Sequence, residues 1–155
     1  MNYLHKFNFL GPSVDGQKED IYISASAINF LTWYKKDNSE GTMFHLTLDK
    51  VNHVISALPD MVNQITLDGL LFKCTAHRAG ESGAMKKYSA WINPGNIAGM
   101  YQDQPDSTFM FFKSGESIAI ANRAPDVLKG LIEHNKKYQE RKKIAYGNKD
   151  KKAGV

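Results

Sequence analysis

Residues 92–132 read INPGNIAGMYQDQPDSTFMFFKSGESIAIANRAPDVLKGLI. Three apolar segments, 96–102, 107–113 and 116–121, are separated only by DQPD and SG, which have the composition of tight turns. Links this short allow antiparallel neighbours and exclude parallel crossovers. Past Arg123 the pattern changes from strand to helix. Pro125 suits a first helical turn, Asp126 complements the N-terminal end of the helix dipole, and the lysines that follow suit its C-terminal end. A helix is therefore expected over 125–138, with Val127, Leu128, Leu131, Ile132 and Tyr138 as its buried stripe. Phe109, Met110, Phe111 and Phe112 leave neither face of their strand polar, which predicts a central strand covered on both sides.

Upstream, AINFLTWY (27–34) and GTMFHLTL (41–48) read as two strands joined by the polar loop KKDNSEG. DKVNHVISALP follows, with Val51, Val54, Ile55 and Leu58 at helical spacing and Pro59 as a stop, which predicts a short amphipathic helix. In ITLDGLLFKCTAH (65–77), Asp68-Gly69 supplies the positive-φ pair of a type I′ turn, so residues 65–67 and 70–76 are expected to form a hairpin. RAGESGAMKK (78–87) reads as a hairpin loop leading into YSAWINP. The sum is an α+β fold: antiparallel meanders with two amphipathic helices packed on the sheet. Ile28–Tyr34 resembles Ile97–Tyr101, and TMF at 42–44 resembles TFMF at 108–111, which raises a diverged duplication of 27–58 and 96–132.

The layout of residues 92–132, with INP, three strands, a turn at Gly115 and a helix, resembles the FlbD-type flagellar proteins and, more loosely, the LytTR DNA-binding domain. The resemblance implies the fold of this segment. It transfers no base-reading or catalytic residue, because the matching positions are turns and core.

Charge divides the chain. Residues 136–152 hold eight Lys and Arg against two acidic residues, a net +6, whereas residues 1–135 hold twelve against fourteen, a net −2. The expected organisation is one α+β domain over 1–139 and a basic, flexible tail over 140–155. No apolar run reaches the ~20 residues of a membrane span. The N-terminus has no signal-peptide block, and a single cysteine cannot close an internal disulfide. These features predict a soluble, cytoplasmic protein with no membrane partner.

Chemical motifs are sparse. His5, His45, His53, His77 and His134 show no metal-ligand spacing, and there is no cysteine pair. Cys74 and His77 point to opposite faces of a strand, and Cys74 shares its face with Leu70, Phe72 and Ala76, as a small core residue does. The carboxylates lie in turns or at helix starts, and no glycine cluster has the lysine and hydroxyl of a phosphate loop. Catalytic residues, metal and cofactor are therefore all assigned as none, and the chain is read as a non-enzyme.

Two features suit phosphates and bases. Lys136, Lys137, Arg141, Lys142 and Lys143 can neutralise a phosphate backbone without reading sequence; a solubilising end would have the same composition. Trp33 beside Lys35 and Lys36 offers an aromatic face with adjacent cations, on which a base can stack, and Arg78, Lys86 and Lys87 extend a basic rim; a tryptophan packed under a helix is the competing reading. The expected function is nucleic-acid binding in a regulatory or accessory role, in keeping with the small effectors of phages and mobile elements. The alternative is a protein inhibitor, or a homo-oligomer that sequesters a nucleotide.

Overall fold

The computed structural model describes residues 4–8, 20–36, 39–47, 52–55, 57–79 and 85–153. Strands β1 (Leu4–Asn8) and β2 (Asp20–Ser24) form a two-stranded antiparallel ribbon. The main sheet has eight strands: β3 (Ile28–Lys36), β4 (Ser39–Leu46), β5 (Asn52–Ile55), β6 (Phe72–Ala79), β7 (Met85–Ile92), β8 (Ile97–Gln104), β9 (Ser107–Phe112) and β10 (Ser117–Ile120). Their order is β5-β4-β3-β7-β6-β10-β9-β8, and every pairing is antiparallel. A single helical turn, α1 (Pro59–Met61), widens into Val62–Thr66, and a long helix, α2 (Ala124–Ala153), closes the chain. This is the expected α+β class with antiparallel meanders.

The two meanders β3-β4-β5 and β8-β9-β10 share one register. Each follows a short 3-10 turn, Ala25–Ala27 or Pro94–Asn96. Ile28 faces Leu46, a bulge follows, and Phe30, Leu31, Thr32 and Trp33 face His45, Phe44, Met43 and Thr42. In the second meander Ile97 faces Phe112, a bulge follows at the same place, and Gly99, Met100, Tyr101 and Gln102 face Phe111, Met110, Phe109 and Thr108. Third strands align likewise: Thr42 faces Ile55, and Thr108 faces Ile120. The fixed points are chemically alike. Thr42 and Thr108 are both fully buried, and each donates its hydroxyl to a carbonyl just past the third strand, that of Ala57 or Asn122. The backbone N–H of Thr47 bonds to Ala27 O as that of Lys113 bonds to Asn96 O. The sequence likeness of 27–58 to 96–132 thus corresponds to a repeat of strands, bulge and buried threonine.

Two core clusters follow. One centres on Ile28, Leu31, Phe44, Ile55, Leu71 and Trp91, under the β1-β2 ribbon and the α1 turn. The other centres on Phe30, Ile92, Met110, Phe112, Ile118 and Ile120, with Val127 and Leu131 of α2. The halves are stitched by buried amides. Asn93 donates to Ile28 O at 3.0 Å, and Asn29, fully buried, donates to Ser114 Oγ at 2.8 Å and accepts from Thr47 Oγ1 at 2.9 Å. Paired in this way, such groups escape the penalty of unsatisfied burial.

Three local expectations are corrected. The helix expected over residues 51–58 is in part strand β5, because Val54 and Ile55 are β-branched and β4 offers an open edge. Asp68 and Gly69 do take positive φ, 53° and 74°, yet they terminate the wide turn Val62–Thr66 instead of making a hairpin. Gly69 N bonds back to Asn63 O, and the buried Asn63 side chain clamps both backbone groups of Leu71. The hairpin partner of β6 is β7. Strand β9 is second from the sheet edge, and Phe111 is 38% exposed, so the strand is not covered on both sides. α2 runs for 30 residues, across residue 140; past Pro125 the segment is rich in Lys, Glu, Gln and Arg, good helix formers, and has no further proline.

The docking stripe of α2 also differs from the one expected. Val127 and Leu131 are buried, but Leu128 and Ile132 are half-exposed or more. Gly130 lies on the Phe72 ring, His134 Nε2 meets Leu70 O at 3.0 Å, and the Arg141 guanidinium lies over Gly69. Positions 127, 130, 131, 134 and 141 describe one helical face, on which a glycine and a histidine replace the apolar side chains that sequence reasoning chose.

Candidate functional site

Strands β3, β4, β7, β6, β10 and β9 line a cleft of about 920 Å³. Its wall from the first meander is Phe30, Thr32, Met43 and His45; Tyr88 and His77 come from β7 and β6, and Ile118 and Phe109 from the second meander. Trp33, Lys86 and Lys87 stand at the same cleft. Trp33 is 48% exposed, and both lysines are exposed. The sheet order explains the meeting: β3 pairs with β7 on one side, and residues 86 and 87 lie beyond the end of that pairing, on the β7 arm that continues against β6. Trp91, by contrast, is buried and satisfied by Asp60 Oδ1 at 3.0 Å.

His45 stacks on Phe30 with ring centroids 3.9 Å apart and meets Glu116 Oε2 through Nδ1 at 3.3 Å. Burial pushes the imidazole down to about 4, so at neutral pH the ring is uncharged. Glu116 also accepts from Asn29 Nδ2 at 3.3 Å. The arrangement is therefore a cleft of mixed apolar and polar walls with an exposed indole and two exposed lysines among its lining residues, suited to holding a flat ring while lysines meet an attached anion.

The structure gathers some of the sequence-predicted residues and separates others. Trp33, Lys86 and Lys87 come together. Lys35 and Lys36 lie in β3, and Arg78 lies in β6 opposite Lys86 in register, but the side chains of Lys35, Lys36 and Arg78 lie outside the described residues. Lys136, Lys137, Arg141, Lys142 and Lys143 are on α2, not in the cleft. Of these, Arg141 covers Gly69, and Lys142 lies over the Tyr138 ring at 4.8 Å. Sequence reasoning missed Phe30, Met43, His45, Tyr88 and Phe109 as lining residues; only their alternation within strands hinted at a shared face. Among the described residues no group of three or more His, Cys, Asp or Glu side chains is placed to hold a metal ion, and no helix is long and apolar enough to cross a membrane.

No protein-family model matches the chain, and no curated protein matches it. Among solved structures the chain is similar to the LytTr DNA-binding domain of a Bacillus cereus response regulator, at a TM-score of 0.52 and 13% identity over 85% of this chain and 98% of that one. The chain thus has a LytTR-like fold, and the likeness extends well beyond the segment 92–132 that suggested it.

Proposed function

We propose that this chain is a nucleic-acid-binding protein with a regulatory or accessory role, acting in the cytoplasm by binding and not by catalysis. One observation carries the reading: Trp33 from β3 and Lys86 and Lys87 from β7, far apart in sequence, meet at one cleft. The cleft orients the ligand. The basic turns of α2 add affinity that reads no bases, since phosphate contacts position and base contacts specify. That the structurally similar Bacillus cereus domain is described as DNA-binding supports the same class.

Fluorescence anisotropy with labelled DNA across a salt series tests the proposal. Binding should weaken steeply with salt. Replacing Lys86 and Lys87 together by Gln should weaken it further at every salt concentration. If no nucleic acid binds at low salt, the reading is wrong, and a protein or nucleotide ligand takes its place.

A further inference from the structure

The shared register of the two meanders has a consequence for the surface. In the first meander the facing pairs Phe30/His45 and Thr32/Met43 line the cleft. The equivalent pairs in the second are Gly99/Phe111 and Tyr101/Phe109. Where the first meander places a threonine and a methionine, the second places two aromatic rings. Tyr101 and Phe109 have centroids 5.2 Å apart, and Phe109 and Phe111 6.4 Å apart, each pair tilted by little more than 30°. The three rings belong to neither core cluster, and Tyr101 is 53% exposed. Gly99 shapes the strip: a Cβ there would come within 2.5 Å of Phe111 Cζ, so the missing side chain lets the Phe111 ring lie on the backbone of the edge strand. Phe109 is also a wall of the cleft, which makes the strip continuous with Trp33, Lys86 and Lys87.

We infer that Tyr101, Phe109 and Phe111 form a stacking platform for unpaired bases, so that the ligand is a single strand running from the Trp33–Lys87 cleft across Phe109 onto the β8-β9 edge. This rests on the nucleic-acid reading of the cleft and names its substrate class. Aromatic rings on an open sheet face, beside two exposed lysines, fit bases better than an aliphatic partner surface does. Each base has a π-face to stack, and the lysines meet its phosphate. Paired bases inside a duplex keep their faces covered and cannot use such a strip.

The test compares the whole chain on a labelled oligothymidylate of about a dozen nucleotides, within the site sizes known for stacking folds, and on a duplex of equal length at one salt concentration. The single strand should bind more tightly. Tyr101→Ala, at an exposed position, should weaken the single strand by between about fivefold and a hundredfold and leave duplex binding unchanged. Gly99→Ala, which displaces the Phe111 ring without removing it, should reproduce Phe111→Ala; thermal melts of each variant check that the fold is kept. The inference is overturned if the duplex binds as tightly as the single strand, or if Tyr101→Ala leaves single-strand affinity unchanged. If Lys86→Gln with Lys87→Gln still weakens the duplex in that case, the cleft reading stands and only the strand preference falls. If neither nucleic acid binds, both fall, and the strip is a protein-docking face.

Discussion

His45 and Cys74 show how burial alone sets chemistry at single residues. His45 has its protonation range lowered to about 4, below the ordinary value near 6.5 for an exposed imidazole. Between those values the unfolded chain binds a proton that the folded chain refuses. Stability from this site is therefore complete above pH ~6.5 and is lost as pH falls toward 4, by at most about 3 kcal/mol. The facing groups are Phe30 and Glu116, and the Glu116 carboxylate works against the shift by favouring a charged ring. Urea unfolding at stepped pH should show this acid-side loss, and His45→Gln, which cannot titrate, should flatten it; an equal slope in the variant would assign the loss elsewhere. Cys74 is pushed up to about 12 by burial against Phe72 and its neighbours. Its thiolate is scarce at neutral pH, so a thiol reagent should label the native protein about a hundredfold or more slowly than the urea-unfolded chain. Fast native labelling would contradict the packing described for β6.

At the scale of elements, legibility followed the length and uniqueness of the periodic signal. The β8-β9-β10 meander and the start of α2 could be read because DQPD and SG allow few other connections. The segment VNHVISAL could not, since Val51, Val54, Ile55 and Leu58 within eight residues satisfy either a helix or a strand, and only the free edge of β4 decides. Asp68-Gly69 was read correctly as a positive-φ pair, but its role depends on Asn63, whose amide bonds Leu71 N at 2.9 Å and Leu71 O at 3.0 Å across a turn that no local pattern announces. Asn63→Ala should therefore cost about 1–3 kcal/mol, because it strands buried backbone groups. The stripe of α2 was half legible for a similar reason. Gly130 and His134 dock because Phe72 and Leu70 O lie opposite, which the helix sequence cannot show. Leu131→Ala should then cost about 2–4 kcal/mol, whereas Leu128→Ala, on the open face, should stay within about 0.5 kcal/mol. Equal costs in equilibrium unfolding would restore the stripe expected from sequence. The cleft was the least legible feature: Trp33 and Lys87 are joined only by the β3-β7 and β7-β6 pairings, which depend on the order of the whole sheet.

For the whole molecule the question is how a mildly acidic body and a basic helix would divide the work of the proposed nucleic-acid binding. Residues 1–135 carry −2 and residues 136–152 carry +6, so on the proposed reading any long-range attraction to a polyanion would originate in α2. Ending the chain after Gln139 removes Arg141, Lys142, Lys143, Lys149, Lys151 and Lys152. The fold should survive, because Val127 and Leu131 in the core, Gly130 on Phe72 and His134 on Leu70 all precede the cut. Among the described residues, the cut removes the cover that Arg141 provides over Gly69 and the Lys142 ammonium from the Tyr138 ring. In the binding isotherms, the slope of log K against log salt should flatten by ~0.7 for each phosphate no longer neutralised on a single strand and by ~0.9 on a duplex. Affinity should fall most at low salt. The effect of Lys86→Gln with Lys87→Gln should persist in the shortened chain, because the cleft is built from strands that the cut does not touch. Any preference among strands or sequences should persist as well, since phosphate contacts carry none. A shortened chain with an unchanged slope would mean that the outer turns of α2 are only a solvated helix, and that the cations meeting phosphate are those of the cleft itself.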